Sequence, residues 1–283
     1  MSENQSSQSA DNDDIYIKGK KYSPPFANEP DDYKNLRKRQ ELKREELLAS
    51  PKRFQRISER EDRSDTPPAY NKCESAGRHL ARYRGFDICK CPVDFVLYQQ
   101  LFGLVKPKTV IELGTLSGGN AIWIADTLKL FDISAHVYSM DLDISNRSEI
   151  VNKLKPENVT FLQGDAYEIE KTFTDEFLKS LPHPWVFIED AHVNIPIVFQ
   201  YLHQYFKVGD YLICEDTSPD IPKELGMFMG NNEDFVKMGR KQLGCFKDFL
   251  KEYEDFYAVD SFITDLFGYN CSWHWHGFVR RMN

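Results

Sequence analysis

No stretch of this sequence is apolar for long enough to cross a bilayer. Runs such as Val186–Ile188 and Tyr211–Cys214 fall far short of the roughly 20 residues that a spanning helix needs. The first residues, MSENQSSQSADNDD, contain no apolar segment of the kind that directs export, so a soluble, cytoplasmic protein is expected. Cysteine is sparse and unpatterned. The six residues, at 73, 89, 91, 214, 245 and 271, include one C-x-C and no second pair at zinc spacing. They read as reduced thiols, with Cys89 and Cys91 as packing residues. Positive charge is in deficit. A net charge of −8 repels phosphate backbones and argues against a nucleic-acid partner. Two cofactor patterns are also missing. The G-x-G-x-x-G spacing of a dinucleotide site fails at Leu116, and no two-histidine, one-carboxylate pattern for iron is visible.

What the chain does have is material for one sizeable core, since 41% of its 283 residues are hydrophobic. Residues 1–12 are polar and low in complexity, and disorder is expected there. Residues 13–30 carry SPP and NEP and read as extended chain. From Asp31 to Arg63 the composition turns to Lys, Arg, Glu and Gln, which predicts one or two exposed helices broken near Ser50-Pro51. The basic residues Arg37, Lys38, Arg39, Lys43 and Arg44 interleave with Glu41, Glu45 and Glu46, as on a solvated helix face. Leu36, Leu42, Leu47 and Leu48 are candidates to pack on the main domain or on a neighbouring subunit. Pro67 and Pro68 place the boundary, giving an arm over 1–65 and a domain over 66–283.

Beyond residue 70 strand and helix patterns alternate. Strands are predicted at 109–113, 136–143, 159–166, 185–190 and 211–216, with helices at 94–105, 120–131 and 195–206. Residues 256–265 and 277–281 read as two last strands joined by a short loop. The alternation predicts an α/β fold, a Rossmann-like and mostly parallel seven-stranded sheet flanked by helices. Several strands end in carboxylates, and in such sheets the strand ends line one ligand crevice.

The first strand runs into a glycine turn, VIELGTLSGGNAIW. That geometry lets backbone approach a ligand and aims helix N–H groups at it. Its E-x-G-x-x-x-G-G spacing fits an S-adenosylmethionine site, with Glu112, Gly114, Thr115, Ser117, Gly118 and Gly119 around the cofactor. The next strand ends in MDLD, where Asp141, and after it Asp143, suit ribose hydroxyls. Asp165, in QGDA, suits the adenine amino group.

The fourth and fifth of these strands end in IEDAH and CED. Asp190, Glu215 and Asp216 would then sit at adjacent strand ends, where their mutual repulsion is relieved by a divalent cation such as Mg²⁺ or Mn²⁺. Such an ion lowers the pKa of a substrate hydroxyl and orients it. His192, two residues past Asp190, is placed to take the hydroxyl proton as a general base, with Asp190 as its partner in the chemistry. The segment 217–245 is a candidate lid, with Met227, Phe228 and Met229 as an apolar wall. Trp273, His274, Trp275 and His276 either face the cleft or pack the last hairpin.

With these pieces in place, the sequence resembles the cephalosporin hydroxylase-like and rhamnosyl O-methyltransferase family. The matching segments are residues 83–126, 138–145, 161–166, 189–194, 209–216 and 263–281, together covering about residues 80–283 of the chain. The resemblance implies a class I S-adenosylmethionine-dependent methyltransferase whose Mg²⁺ is held at the positions of Asp190, Glu215 and Asp216. It also implies homo-oligomers in which N-terminal segments help bury the site. The histidine departs from the pattern, lying two rather than three residues after the aspartate, which brings Glu189 in as a further ligand or base. The expected activity is O-methylation of a small hydroxylated molecule. N-methylation and a non-catalytic cofactor-binding protein are the alternatives.

Overall fold

The structure, a computed structural model, describes residues 15–17, 20–22, 31–219 and 232–283. The expectations for residues 1–12 and for a wall at Met227, Phe228 and Met229 lie outside them.

The chain divides into two units, Met1–Ser50 and Pro51–Asn283. In the first, Ile15–Ile17 pairs antiparallel with Lys20–Tyr22, and helix α1 spans Asp31–Ala49. The helix stops where expected, because the residue before Pro51 is disfavoured in helical conformation. Leu36, Leu42 and Leu47 are exposed on it.

The second unit is built on an eight-stranded sheet. Its strands are β1 (Phe54–Gln55), β2 (Thr109–Leu113), β3 (His136–Asp141), β4 (Val159–Gln163), β5 (Trp185–Glu189), β6 (Tyr211–Cys214), β7 (Tyr257–Asp260) and β8 (Phe278–Arg281). Their order is β1-β7-β8-β6-β5-β2-β3-β4. β6, β5, β2, β3 and β4 run parallel, and β8, β7 and β1 complete the sheet in antiparallel fashion. Every residue of β2, β5 and β6 is buried. That is why these segments read as continuous apolar runs instead of alternating ones.

Helices cover both faces. On one, Phe199 on α5 (Ile195–His203) meets Phe187 of β5, and Phe246 and Phe249 on α6 (Asn232–Glu252) pack on Phe199 in turn. On the other, Tyr98 of α3 (Pro92–Val105) meets Phe278 of β8 and Trp123 of α4 (Gly119–Leu130) edge-on. Full burial of such rings removes some 150–250 Å² each from water, so they dominate the core.

Two expectations need correction. The arm ends near residue 50, not 65. Residues 51–65 are tied to the sheet because β1 pairs with β7, Arg53 bonds Asp260, and Arg60 bonds Asp265 in a fork at 2.9 and 2.7 Å. These contacts also add an eighth strand to the seven expected. The second correction concerns residues 256–265. The strand stops at Asp260, whose side chain accepts from Phe262 N and caps a short helix, Ser261–Thr264. β7 and β8 are thus joined by this helix and a long loop, not by a short turn.

Candidate active site

The sheet order reverses between β2 and β5: β3 and β4 lie to one side of that junction, β6 to the other. Ligands of open α/β sheets bind at such a point, outside the strand carboxyl ends. A crevice of ≈ 780 Å³ opens there, within the 300–1,000 Å³ usual for ligand sites. Gly114 ends β2 at φ 99°, and a Cβ added to it would lie 2.5 Å from the carbonyl oxygen of Asp190, at the end of β5. Only glycine lets these two strand ends close on each other.

One end of the crevice is shaped for a nucleoside. Asp141 Oδ2 accepts from Leu116 N at 2.8 Å, which fixes the carboxylate at the mouth of the glycine turn. Asp165 caps the turn after β4 by accepting from Tyr167 N at 2.8 Å, and it too lines the crevice. Around them Leu116, Leu142 and Tyr167 leave large apolar surfaces in solvent at 60, 66 and 66% exposure. Single exposed apolar residues are ordinary, but three around one carboxylate-lined hollow make a ligand wall.

The remaining residues expected on the cofactor build the turn from behind and do not line the crevice. Glu112 is fully buried and takes hydrogen bonds from Asn120 Nδ2 (2.6 Å) and Ser139 Oγ. Burial pushes its pKa up to about 7, since the charged form is poorly solvated there. Thr115 bonds Ser139 at 2.7 Å, Ser117 donates to the Asp87 carbonyl, and an added Cβ at Gly119 would collide with that same carbonyl. Gly118 supplies the left-handed turn at φ 82° that starts α4, and Asp143 caps the turn after β3 through Ser145 N.

The other end holds the acids. Asp190 and Asp216 flank His192, whose Nε2 lies 3.3 Å from Asp190 Oδ1 and 3.4 Å from Asp216 Oδ2. One ligand atom from each of the three lies within 4.8 Å of the others. Gln242, reaching in from α6, orients the ring. Its amide nitrogen donates to the carbonyls of Asp216 and Glu215, and its oxygen accepts from His192 Nδ1 at 2.7 Å. With Nδ1 so engaged, Nε2 is the atom left to face the carboxylates, an arrangement typical of a ligating imidazole. Asp216 Oδ1 is buried without a hydrogen bond, a free acceptor in the same place. Residues at this end thus fit a divalent cation.

Glu215, expected with them, is not brought to this cluster. It is buried, and its carboxylate takes Lys90 Nζ on one oxygen and Tyr98 OH on the other. Lys90 also donates to Asp190 Oδ2 at 2.7 Å, so one buried ammonium balances two carboxylates. Burial opposes the charge on Glu215, but Lys90 wins and holds its pKa below the ordinary carboxylate range. Asp190, where burial and the neighbouring Glu215 act together, is pushed up to about 6. For His192, burial favours the neutral ring, but the hydrogen bond the ring donates to Asp216 and the charges of Asp190 and Asp216 prevail and raise it to about 9. Glu189 stays out of the cluster: fully buried, it accepts from His192 N at 2.9 Å, and burial raises it to about 8.

The C-terminal WHWH stretch does two jobs. Trp273 lines the crevice. His274 lies behind it, with Nε2 3.3 Å from Asp94 and Nδ1 accepting from Asp216 N at 3.0 Å. Trp275 takes Thr217 Oγ1 on its carbonyl, and His276 joins Arg60 and Asp62. Arg78, Lys90 and Gln242 were missed by sequence reasoning. The only available signal was the unusual Lys90 between two cysteines in a segment otherwise apolar. Four non-glycine residues of the lining, Cys89, Leu116, His192 and Asp216, sit at φ 47–62°. That left-handed backbone costs of order 1 kcal/mol each and clusters at functional sites.

The family model described as rhamnosyl O-methyltransferase/CmcI matches residues 78–282. Among solved structures, a CmcI apo-structure aligns with 26% identity and a TM-score of 0.54, covering 72% of this chain and 77% of that one. CmcI with Mg-SAM has the same fold at 24% identity and a TM-score of 0.55, covering 83% and 93%. A search of curated proteins found no match. The helix-flanked, mostly parallel sheet with its crevice at the β2–β5 reversal and the match over most of the chain agree: the chain belongs to the rhamnosyl O-methyltransferase/CmcI family and is a methyltransferase.

Proposed function

We propose that this protein transfers the methyl group of S-adenosylmethionine to a hydroxyl of a small acceptor, assisted by a divalent cation. The observation that carries the reading is the meeting, in one crevice, of a nucleoside-shaped end at Asp141 and Asp165 with the Asp190–His192–Asp216 cluster. CmcI itself has been solved with SAH and with Mg-SAM, which supports the same pairing of ligands. When bound, the cofactor supplies an electrophilic methyl group and the cation a positive charge that stabilises the acceptor oxygen as an anion.

The chain's own residues do the rest. Gly114 keeps the backbone low enough for the cofactor to lie across the strand ends. Asp141 accepts the ribose hydroxyls, and Asp165 with Tyr167 bounds the base. Asp190, Asp216 and His192 Nε2 hold the cation, the last kept in its tautomer by Gln242. One imidazole and two carboxylates suit Mn²⁺ at least as well as Mg²⁺. Lys90 neutralises Glu215 and one oxygen of Asp190, which limits the repulsion among three neighbouring acids. In this arrangement His192 serves as a ligand, and not as the base that its place after Asp190 suggested.

The proposal extends to a cytoplasmic homo-oligomer that binds neither nucleic acid nor membrane. A net charge of −8 supports the former exclusion, and no helix among the described residues is long and apolar enough to cross a membrane. Calorimetry tests the core of it. S-Adenosylmethionine should bind and NAD should not, and methyl transfer to hydroxylated extract components should stop in chelator and return with Mn²⁺ or Mg²⁺. Full turnover in chelator would remove the cation from the reading, and binding of NAD would remove the methyl donor.

A further inference from the structure

Two buried cations approach the acid end of the crevice, and they differ in how far their bonding is satisfied. Lys90 is held by Asp190 and Glu215. Arg78, at the end of α2 (Pro68–Arg78), makes no hydrogen bond among the described residues, and its Nε is buried without one. Among the described residues its nearest carboxylate oxygen, Asp216 Oδ1, is 3.7 Å from Nη1, beyond hydrogen-bond reach. Glu74, one turn earlier on the same helix, is not an ion-pair partner, and both its oxygens are themselves without hydrogen bonds. Nevertheless the Arg78 side chain is only 13% exposed, and its Nε is buried with no acceptor. A guanidinium carries five donors, and leaving even one unmet out of water is costly. The group also lies over an aromatic ring, with Cζ 4.6 Å from the centre of Trp273, and both residues line the crevice. A stacked guanidinium offers its edge to a planar acceptor, the geometry suited to a carboxylate.

Charge points the same way. Asp190, Glu215 and Asp216 face Lys90 and Arg78. Adding a divalent ion, with His192 neutral, leaves one unit of positive charge before any acceptor enters. An anionic acceptor neutralises it, whereas a neutral one leaves it buried and unpaired.

Building on the methyltransferase reading, we propose that Arg78 is the recognition site for an acidic group on the acceptor, so that the substrates are hydroxy acids or phenolic acids with the reacting hydroxyl close to a carboxylate. The closeness follows from Arg78 and the proposed cation ligand Asp216 being neighbours. The aromatic wall of Trp273 favours a planar acceptor.

A carboxylate on Arg78 has a second possible source, the amino-acid end of the cofactor, and the test separates the two. The full chain, saturated with S-adenosylhomocysteine and Mn²⁺, is titrated calorimetrically with salicylate and with its neutral amide, salicylamide. The unaltered protein should prefer salicylate by about tenfold or more, the usual scale for losing one partner of a buried charged pair. Arg78→Met should abolish the preference. Arg78→Lys, which keeps the charge without the planar fork, should reduce it, and it stands in if the methionine variant does not fold. S-Adenosylhomocysteine affinity should stay within about twofold in both variants, because an acceptor subsite does not touch the cofactor. Absent salicylate binding, equal binding of acid and amide, or a preference that survives in Arg78→Met overturns the proposal. So does a fall in S-adenosylhomocysteine affinity, which moves Arg78 to the cofactor's carboxylate. Failure of the unaltered chain to bind S-adenosylhomocysteine strikes the methyltransferase reading itself and takes this proposal with it.

Discussion

The two ends of the crevice are built on different principles. At the nucleoside end the walls are backbone and half-exposed apolar side chains, and Asp141 and Asp165 sit at the open mouth, held only by backbone N–H groups, those of Leu116 and Asp143 for the first and that of Tyr167 for the second. At the acid end nearly every polar group is buried and leans on another: Lys90 on two carboxylates, His192 on Gln242, Asp216 on His274. The first end is made by three short turns, each following one of the consecutive strands β2, β3 and β4. The second is assembled from parts far apart in the chain, residues 78, 90, 190–192, 215–216, 242 and 273–274. A local site tolerates change everywhere except at the residue whose backbone must pass close. A site made of interlocked charges distributes its sensitivity over many residues, since removing one leaves another unpaired in a medium that solvates it poorly.

The comparison breaks most readily at Gly114, where the two ends touch. Gly114→Val should abolish S-adenosylmethionine binding, because the new side chain meets the Asp190 backbone at 2.5–2.9 Å in a φ region closed to β-branched residues. Unchanged affinity in a folded variant would show that cofactor does not cross these strand ends. Next in size, Asp216→Asn should lower turnover by about 10³-fold while S-adenosylmethionine affinity moves only a few-fold, since the acid end serves the acceptor. A parallel loss of both would mean that the two ends are not separable. His192→Ala should cost about 10²–10⁴-fold. If the ring is a ligand, excess Mn²⁺ recovers much of the loss. If it is a base, no amount of cation does.

Further from the site, truncation sharpens the contrast between the two units of the chain. A protein starting at residue 51 should unfold as the full chain does. One starting at residue 66 should lose about 3–5 kcal/mol or fail to fold, because it leaves Asp260 and Asp265 without Arg53 and Arg60. Chemical denaturation of the two proteins checks this, and equal stability would return residues 51–65 to the arm.

The smallest expected effect is a pH dependence from His276. Its ring accepts from Arg60 Nε on Nδ1 at 2.9 Å and faces Asp62 with Nε2. Burial, and then Arg60, hold its pKa down at about 4. A histidine depressed in the folded state stabilises the protein above its unfolded pKa near 6.5, and that stability drains away as pH falls towards 4. His276→Asn should flatten the stability profile between pH 7 and 4.5 relative to the unaltered chain, by up to about 3 kcal/mol. An identical pH slope in the two proteins would assign acid sensitivity elsewhere.

What the sequence made legible follows the same division. The parallel strands, their helices, the glycine turn and the carboxylates at 141, 165, 190 and 216 all lie within short, periodic segments, where pattern and position agree. The rest needed the fold. Lys90 and Arg78 are residue types found mostly at the surface, and nothing local says that partners from β5 and β6 draw one inward and Trp273 stacks on the other. Glu112 was assigned to the cofactor because it precedes the turn, but strand alternation sends it to the interior, where Asn120 and Ser139 receive it. Glu215 and Asp216 are adjacent, so on leaving a strand they point to different sides. One reaches the crevice, and the other turns to Lys90 and Tyr98. The arm boundary was misplaced because β1 is two residues long, too short to carry a strand signal.

The central claim is that the cation sits between Asp190, His192 and Asp216, with Glu215 kept apart by Lys90. Pulsed electron paramagnetic resonance of the Mn²⁺-loaded protein reads it directly. The account predicts a nitrogen coupling from one imidazole that vanishes in His192→Ala, with Mn²⁺ affinity lost in Asp216→Asn and largely kept in Glu215→Gln. A signal without nitrogen, or an affinity that falls as far in Glu215→Gln as in Asp216→Asn, would contradict it.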